Sequence, residues 1–166
     1  MITKSEVRAA AVAKLDLPSP GPGTLWDVGA GSGSVAVECA GLAPGLEVIA
    51  IDRDPAACEQ IALNAARHGV AVQVVHGEAP AALAALPDPD RVFLGGGGLG
   101  VLDGVMCRLR PDGRIVASFA AVDRAAAAAS RLGAMVQVAV NRGRQLPDGG
   151  WRLEADNPVY LVWGPQ

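Results

Sequence analysis

Short apolar runs alternate along the chain with stretches in which apolar residues recur at helical spacing, the pattern of a parallel sheet with crossover helices. The runs are Leu25–Val28, Glu47–Ile51, Val70–Val75, Val92–Leu94 and Arg114–Ala120. Between the second and third, "DPAACEQIALNAARHG" predicts a helix with clear ends. Asp54 can cap it, Pro55 suits the first helical position, and Gly69 stops it after Arg67 and His68. Ala57, Ile61 and Ala65 repeat at four-residue spacing and form its apolar stripe. "VDRAAAAASRLG" predicts another helix, and "TKSEVRAAAVAKL" an N-terminal one joined to the sheet by the breaker "PSPGPG".

Beyond residue 134 the pattern changes. "MVQVAV" and "VYLVWG" predict two strands, and the linker "NRGRQLPDGGWRLEADNP" between them has no helical period. Two such strands close most simply as an antiparallel pair. The expected fold is α/β: a mostly parallel seven-stranded sheet between helices, ending in a C-terminal antiparallel hairpin. At 166 residues the chain predicts one domain, 1–166, in which 1–23 are the N-terminal helix and linker.

Composition excludes several classes. No apolar stretch reaches the roughly 18 residues that a membrane span requires, which predicts no membrane partner. Cys39, Cys58 and Cys107 are odd in number and contain no closely spaced pair, so neither a disulfide framework nor a zinc site is expected. His68 and His76 stand alone, and no metal is expected. A cytoplasmic enzyme fits these features. Residues 1–103 carry six Lys/Arg against twelve Asp/Glu, whereas 104–152 carry eight Arg against three Asp. Nucleic-acid binders are net basic, so this asymmetry predicts two different small ligands and no nucleic acid.

The chemistry centres on "LWDVGAGSGSVAVE", where Gly29, Gly31 and Gly33 follow an apolar run and precede a predicted helix. The dinucleotide fingerprint GxGxxG would need glycine at Ser34, and Asp27 places a charge ahead of the glycines. Asp52 ends the second run nineteen residues after Gly33, where its carboxylate can accept both hydroxyls of a ribose. That position alone does not distinguish a dinucleotide from another nucleoside.

The acid followed by GxGxG resembles the first motif of class I S-adenosylmethionine-dependent methyltransferases. Three further stations agree: "VIAIDRD", "HGEAP" and "LRPDGRIV". The resemblance implies a Rossmann-like three-layer fold and a cofactor site formed by Asp27, Gly29, Ala30, Gly31, Ser32, Gly33, Asp52, Glu78 and Ala79. The cofactor would be S-adenosyl-L-methionine, released as S-adenosyl-L-homocysteine. After the fourth run stands "RVFLGGGGLG" in place of the Asp/Asn-Pro-Pro-aromatic turn of enzymes that methylate base or amide nitrogens. Gly95, Gly96, Gly97 and Gly98 offer backbone N–H groups and space for a bulky acceptor.

"TKSEVRA", "WDVGAGSGSVAVE", "AIDRDPAA", "GEAPAAL" and "PDPDRVFLGGGG" together resemble one family closely, the decarboxylating precorrin methyltransferases of cobalamin biosynthesis. Some members stand alone, and others form the C-terminal half of a larger enzyme with a second precorrin methylase module. The resemblance adds Thr3 to the cofactor site and implies a homo-oligomer, a tetramer in relatives. It implies methylation of a tetrapyrrole at carbon 15 with decarboxylation of its ring C acetate. The alternative is a class I methyltransferase for another small molecule or a protein carboxylate. Neither step demands a nucleophile or metal, and no catalytic side chain is assigned. A substrate with many carboxylates needs cations; Arg142, Arg144 and Arg152 are expected to bind it, with Lys4 and Arg8 as further candidates.

Overall fold

The computed structural model describes residues 4–18 and 21–165. Helix α1 (Ser5–Leu15) precedes β1 (Gly23–Val28), α2 (Ser34–Leu42), β2 (Leu46–Asp52), α3 (Pro55–His68) and β3 (Gln73–His76). A short 3₁₀ turn (Ala81–Leu83) leads to β4 (Arg91–Leu94), α4 (Gly98–Met106), β5 (Arg114–Phe119) and α5 (Val122–Leu132). The chain ends in β6 (Ala134–Val138), β7 (Asn141–Gln145), β8 (Trp151–Ala155) and β9 (Val159–Gly164).

Seven strands form one sheet in the order β3-β2-β1-β4-β5-β9-β6. The first five pair in parallel, and β9 runs antiparallel to both β5 and β6. The expected mostly parallel sheet with its closing antiparallel pair is therefore observed. Because successive strand residues face opposite ways, β1 divides its side chains between two cores. Leu25 joins α1, α2 and Ile61 of α3 on one face; Trp26 and Val28 join α4 and α5 on the other. The result is a three-layer sandwich.

Helix α3 has the predicted ends. Asp54 accepts a hydrogen bond from the Ala56 N–H at 3.0 Å, and Gly69 adopts a left-handed φ of 64° beyond its last turn. The strand after it begins at Gln73 rather than Val70, because the Val70 N–H closes that helix by donating to the Ala65 carbonyl.

Two elements depart from the predicted pattern. Helix α4 contains Gly98, Gly100 and Gly104, residues of poor helix propensity. It forms because Val101, Leu102 and Val105 are buried against the sheet. The predicted linker between the last two sheet strands itself folds into a hairpin, in which β7 pairs antiparallel with β8. Every residue of both strands is exposed, so there is no burial alternation to reveal them.

Gly164, near the end of β9, is a fixed point of the packing. A Cβ there would overlap the Leu132 carbonyl oxygen at the end of α5. Gly164→Ala should cost about 3 kcal/mol or more in urea unfolding, since backbone must move. Gly100→Ala, where a Cβ meets nothing within 4 Å, should stabilise by about 0.5–1 kcal/mol. Equal midpoints for the two variants would contradict this packing.

Candidate active site

The site lies where the sheet changes winding direction. Strands β1 and β4 are neighbours, but β1 leads to α2 on one face and β4 to α4 on the other. Open α/β sheets bind ligands in the crevice at this position. Gly29, Gly31 and Gly33 all have positive φ, 70°, 56° and 70°, which a residue with a side chain adopts at a cost. The Gly29 and Ala30 N–H groups donate to the Ile51 carbonyl at 2.9 and 3.2 Å. The turn after β4 is tied in the same way, through the Gly95 N–H to the Val28 carbonyl at 2.9 Å.

A cavity of about 660 Å³ opens above these turns. Gly29, Ala30 and Gly31 form one wall, and Gly95, Gly96 and Gly97 another. Asp52, Glu78 and Ala79 stand at one end. Asp52 is held on both oxygens: Oδ2 accepts from the Gly31 N–H at 2.7 Å and Oδ1 from the Asp54 N–H at 3.0 Å. Each oxygen keeps acceptor capacity toward the cavity. Its carbonyl accepts from the Gly77 N–H at 2.9 Å, so Asp52 ties three loops together. Glu78 is largely exposed and lies 3.5 Å from Arg53, a surface pair of small energetic weight.

Other predicted site residues stand elsewhere. Gly33 packs against Ile61, the Ser32 carbonyl accepts from Asn64 Nδ2 at 2.8 Å, and Gly98 begins α4; none of the three lines the cavity. Thr3 lies outside the described residues. Arg142, Arg144 and Arg152 sit on the exposed β7–β8 hairpin and do not line the cavity. Arg142 pairs with Glu6 and Asp156, and Arg144 and Arg152 share Glu154.

Asp27 is also absent from the cavity wall. It is 1% exposed, and its Oδ2 accepts from the Ala36 N–H in the first turn of α2 at 3.0 Å. The residue at the helix's own cap position is Gly33, which has no side chain to do this. Asp27 therefore caps α2 from the neighbouring strand. Oδ1 is buried with no hydrogen-bond partner among the described residues. Burial raises the carboxyl from its ordinary value to about 7, the Ala36 N–H opposes the rise, and the Asp52 charge adds to it.

Several cavity residues received no site role from the sequence motifs. Phe93, Ser118, Phe119 and Ala120 line it from the C-terminal ends of β4 and β5, a location that the crevice rule alone predicts. Val7, within the opening motif, and Asn157, Pro158 and Val159 arrive from the two ends of the chain, and no local signal in the sequence marks the last three as site residues.

The strand order, the reversed β9 and the glycine turn at the winding change define the class I methyltransferase fold. The chain belongs to the precorrin methyltransferase domain family, whose model matches residues 1–161. It is 39% identical over 97% of its length to a probable cobalt-precorrin-6B C(15)-methyltransferase (decarboxylating) of Pyrobaculum calidifontis, covering 87% of that protein. It is 41% identical, over 90% of its length, to the precorrin-6Y C(5,15)-methyltransferase [decarboxylating] of a Sinorhizobium species. The match spans only 37% of that longer protein. Among solved structures, precorrin-6y C5,15-methyltransferase from Geobacter metallireducens superimposes with a TM-score of 0.87 at 35% identity, covering 98% of this chain and 89% of that one. Precorrin-8W decarboxylase of Methanobacterium thermoautotrophicum also gives 0.87, at 30% identity, covering 100% of this chain and 92% of that one.

The Asp27 carboxyl has a direct consequence for stability. With its folded pKa raised to about 7, the folded state holds a proton that the unfolded chain releases near pH 4. The associated stability is complete below about pH 4 and is lost as pH rises through about 7. Asp27→Asn keeps an oxygen for the Ala36 N–H and removes the titration. Between pH 5 and pH 8 the melting temperature of this variant should rise relative to wild type. Parallel melting curves across that range would show that Asp27 is charged in the folded state.

Proposed function

We propose that this chain transfers a methyl group from S-adenosyl-L-methionine to carbon 15 of a precorrin or its cobalt complex and releases the ring C acetate carboxyl as carbon dioxide. The observation that carries this reading is the shared cavity, with the Asp52 carboxylate at one end and the Gly95–Gly97 turn facing it. The residues fit the cofactor. Asp52 presents two oxygens, each already oriented by one N–H, to the paired hydroxyls of a ribose. Ala79, beside Glu78 at the same end, would meet the adenine, and the Gly29–Gly31 backbone would hold the methionine part. Thr3, Asp27, Ser32 and Gly33 complete this site in our reading, the last three by shaping the turn.

When bound, the cofactor supplies an electrophilic methyl on a sulfonium, which becomes a neutral thioether on transfer. The chain's contribution is placement. The glycine turns bring two ligands together across a wall without side chains, and Phe93, Val101 and Phe119 exclude water from the space between them. Gly95–Gly98 form the acceptor side.

We further read the chain as one methyltransferase domain that assembles as a homo-oligomer, a tetramer. Trp151 and Leu153 are 70% and 69% exposed on the β7–β8 hairpin, which supports burial against other copies. Fusion to or pairing with a second precorrin methylase module follows the longer relatives. The unpaired Cys39, Cys58 and Cys107 suit the cytoplasm.

The test is the mass of the product formed from cobalt-precorrin-6B and methyl-labelled cofactor; an unlabelled tetrapyrrole would refute the reading. Asp52→Ala should weaken S-adenosylmethionine binding by roughly two to four orders of magnitude, through two lost charge-assisted hydrogen bonds. Titration calorimetry checks this, and near wild-type affinity would remove Asp52 from the site. Gly96→Val should impair acceptor turnover more than cofactor affinity. A Cβ there makes only an ordinary 3.8 Å contact with Gly29, so the fold should survive. A loss confined to cofactor affinity would put this turn on the wrong ligand.

A further inference from the structure

Among the described residues, two cationic side chains line the cavity, and they stand at opposite ends. Arg53 neighbours Asp52 and pairs with Glu78 at 3.5 Å. Lys4 stands at the other end, where its ammonium donates to the Asn157 carbonyl at 3.2 Å. Asp156 Oδ2 is 3.5 Å away, an ion-pair distance beyond the usual N–H···O range. Asn157 lies two residues before β9, and four strand steps separate β9 from β2, which ends in Asp52. At ~4.8 Å per step this is about 19 Å, which sets the Lys4 end of the cavity apart from the Asp52 end.

Asp156 would be expected to occupy Lys4 fully, but it is shared. Arg142 Nε donates to the same Oδ2 at 3.1 Å. The terminal nitrogens of Arg142 meet the two Glu6 oxygens at 3.2 and 3.1 Å. Arg142 thus bridges α1 and the loop after β8, and it draws Asp156 away from Lys4.

We propose that Lys4 binds a peripheral carboxylate of the acceptor at the β5–β9 end of the cavity, and that Arg142 is a positioning residue that acts on Lys4 through Asp156. This rests on the methyl-transfer reading and assigns the anion site of its second ligand. It also gives Arg142 an indirect part in substrate binding, in place of the direct contact expected from sequence. A lysine suits the task, because its point charge on a flexible stem accepts a carboxylate without fixing its plane.

The experiment titrates cobalt-precorrin-6B into protein saturated with S-adenosylhomocysteine and follows the tetrapyrrole absorption, so binding is read without turnover. Wild type, Lys4→Met, Lys4→Arg, Arg142→Gln and the Lys4→Met/Arg142→Gln double variant are compared, and S-adenosylhomocysteine affinity is measured separately. Lys4→Met should weaken tetrapyrrole binding about tenfold or more and leave S-adenosylhomocysteine affinity within about twofold. Lys4→Arg should recover most of the loss. Arg142→Gln should show a smaller loss that disappears in the Lys4→Met background, the non-additivity of residues acting through one another. An independent structural effect of Arg142 would add to that of Lys4, and would overturn its positioning role. Wild-type tetrapyrrole affinity in Lys4→Met, or a loss confined to S-adenosylhomocysteine, would overturn the assignment of Lys4. Either result leaves the proposed reaction standing if labelled methyl is transferred by wild type. Absence of tetrapyrrole binding by wild type would overturn both.

Discussion

The contact between two glycine turns is the constraint on which the site depends. A Cβ at Gly29 would lie 2.9 Å from the Gly96 nitrogen, and one at Gly95 would lie 2.9 Å from the Gly29 carbonyl oxygen. Each turn therefore excludes a side chain from the other. The two turns leave adjacent strands toward opposite faces of the sheet, so they diverge immediately beyond the contact. The cavity is the space created by that divergence. Its width is set by backbone, because no side chain separates the turns where they meet.

Asp27 and Asp52 perform complementary tasks around this contact. Both are carboxylates on β1 and β2, yet one is sealed in the protein and the other reaches the cavity. Asp27 closes the start of α2, whose own cap position holds a glycine required by the turn. The need for left-handed backbone at Gly33 thus forces the cap to come from another element. The outcome is a buried carboxyl whose second oxygen has no partner among the described residues, a cost in stability that grows as the group ionises. Asp52 avoids this cost by being only half-buried and by receiving N–H groups on both oxygens. The local fields are coupled as well, since ionised Asp52 makes ionisation of Asp27 harder.

The elements legible in the sequence are those whose burial imposes a period. The central strands are apolar almost throughout because helices cover both faces, and α3 announces itself through Asp54, Pro55 and Gly69. Helix α4 is hidden by three glycines, because propensity argues against a helix that tertiary burial supports. The β7–β8 hairpin is hidden for the opposite reason: with all positions exposed, no face is distinguished. Within the site, residues that act through backbone geometry were readable, since glycine spacing encodes it directly. The arginines were harder. Charge counting finds an Arg-rich segment but not the direction of each side chain, and Arg142 is engaged by Glu6, 136 residues away. Lys4 and Asn157, 153 residues apart, meet only because β9 returns beside β5.

The two ends of the cavity are consequently built from materials of different stiffness. At the Asp52 end, backbone N–H groups fix the carboxylate, and the turns are tied to neighbouring strands by further backbone hydrogen bonds. At the Lys4 end, the parts are the start of α1 and the segment between β8 and β9, joined by ion pairs whose side chains are 30–52% exposed. Exposed pairs of this kind contribute at most about 1 kcal/mol each. The burial of Val7, Ala11, Val12 and Leu15 anchors α1 itself, so rearranging the ion pairs need not disturb the helix. Substitutions at the Lys4 end can therefore change the charge presented to the cavity without moving the glycine contact. A fold that keeps one end of its cavity rigid and the other adjustable can retain the ligand of the first while the ligand of the second changes.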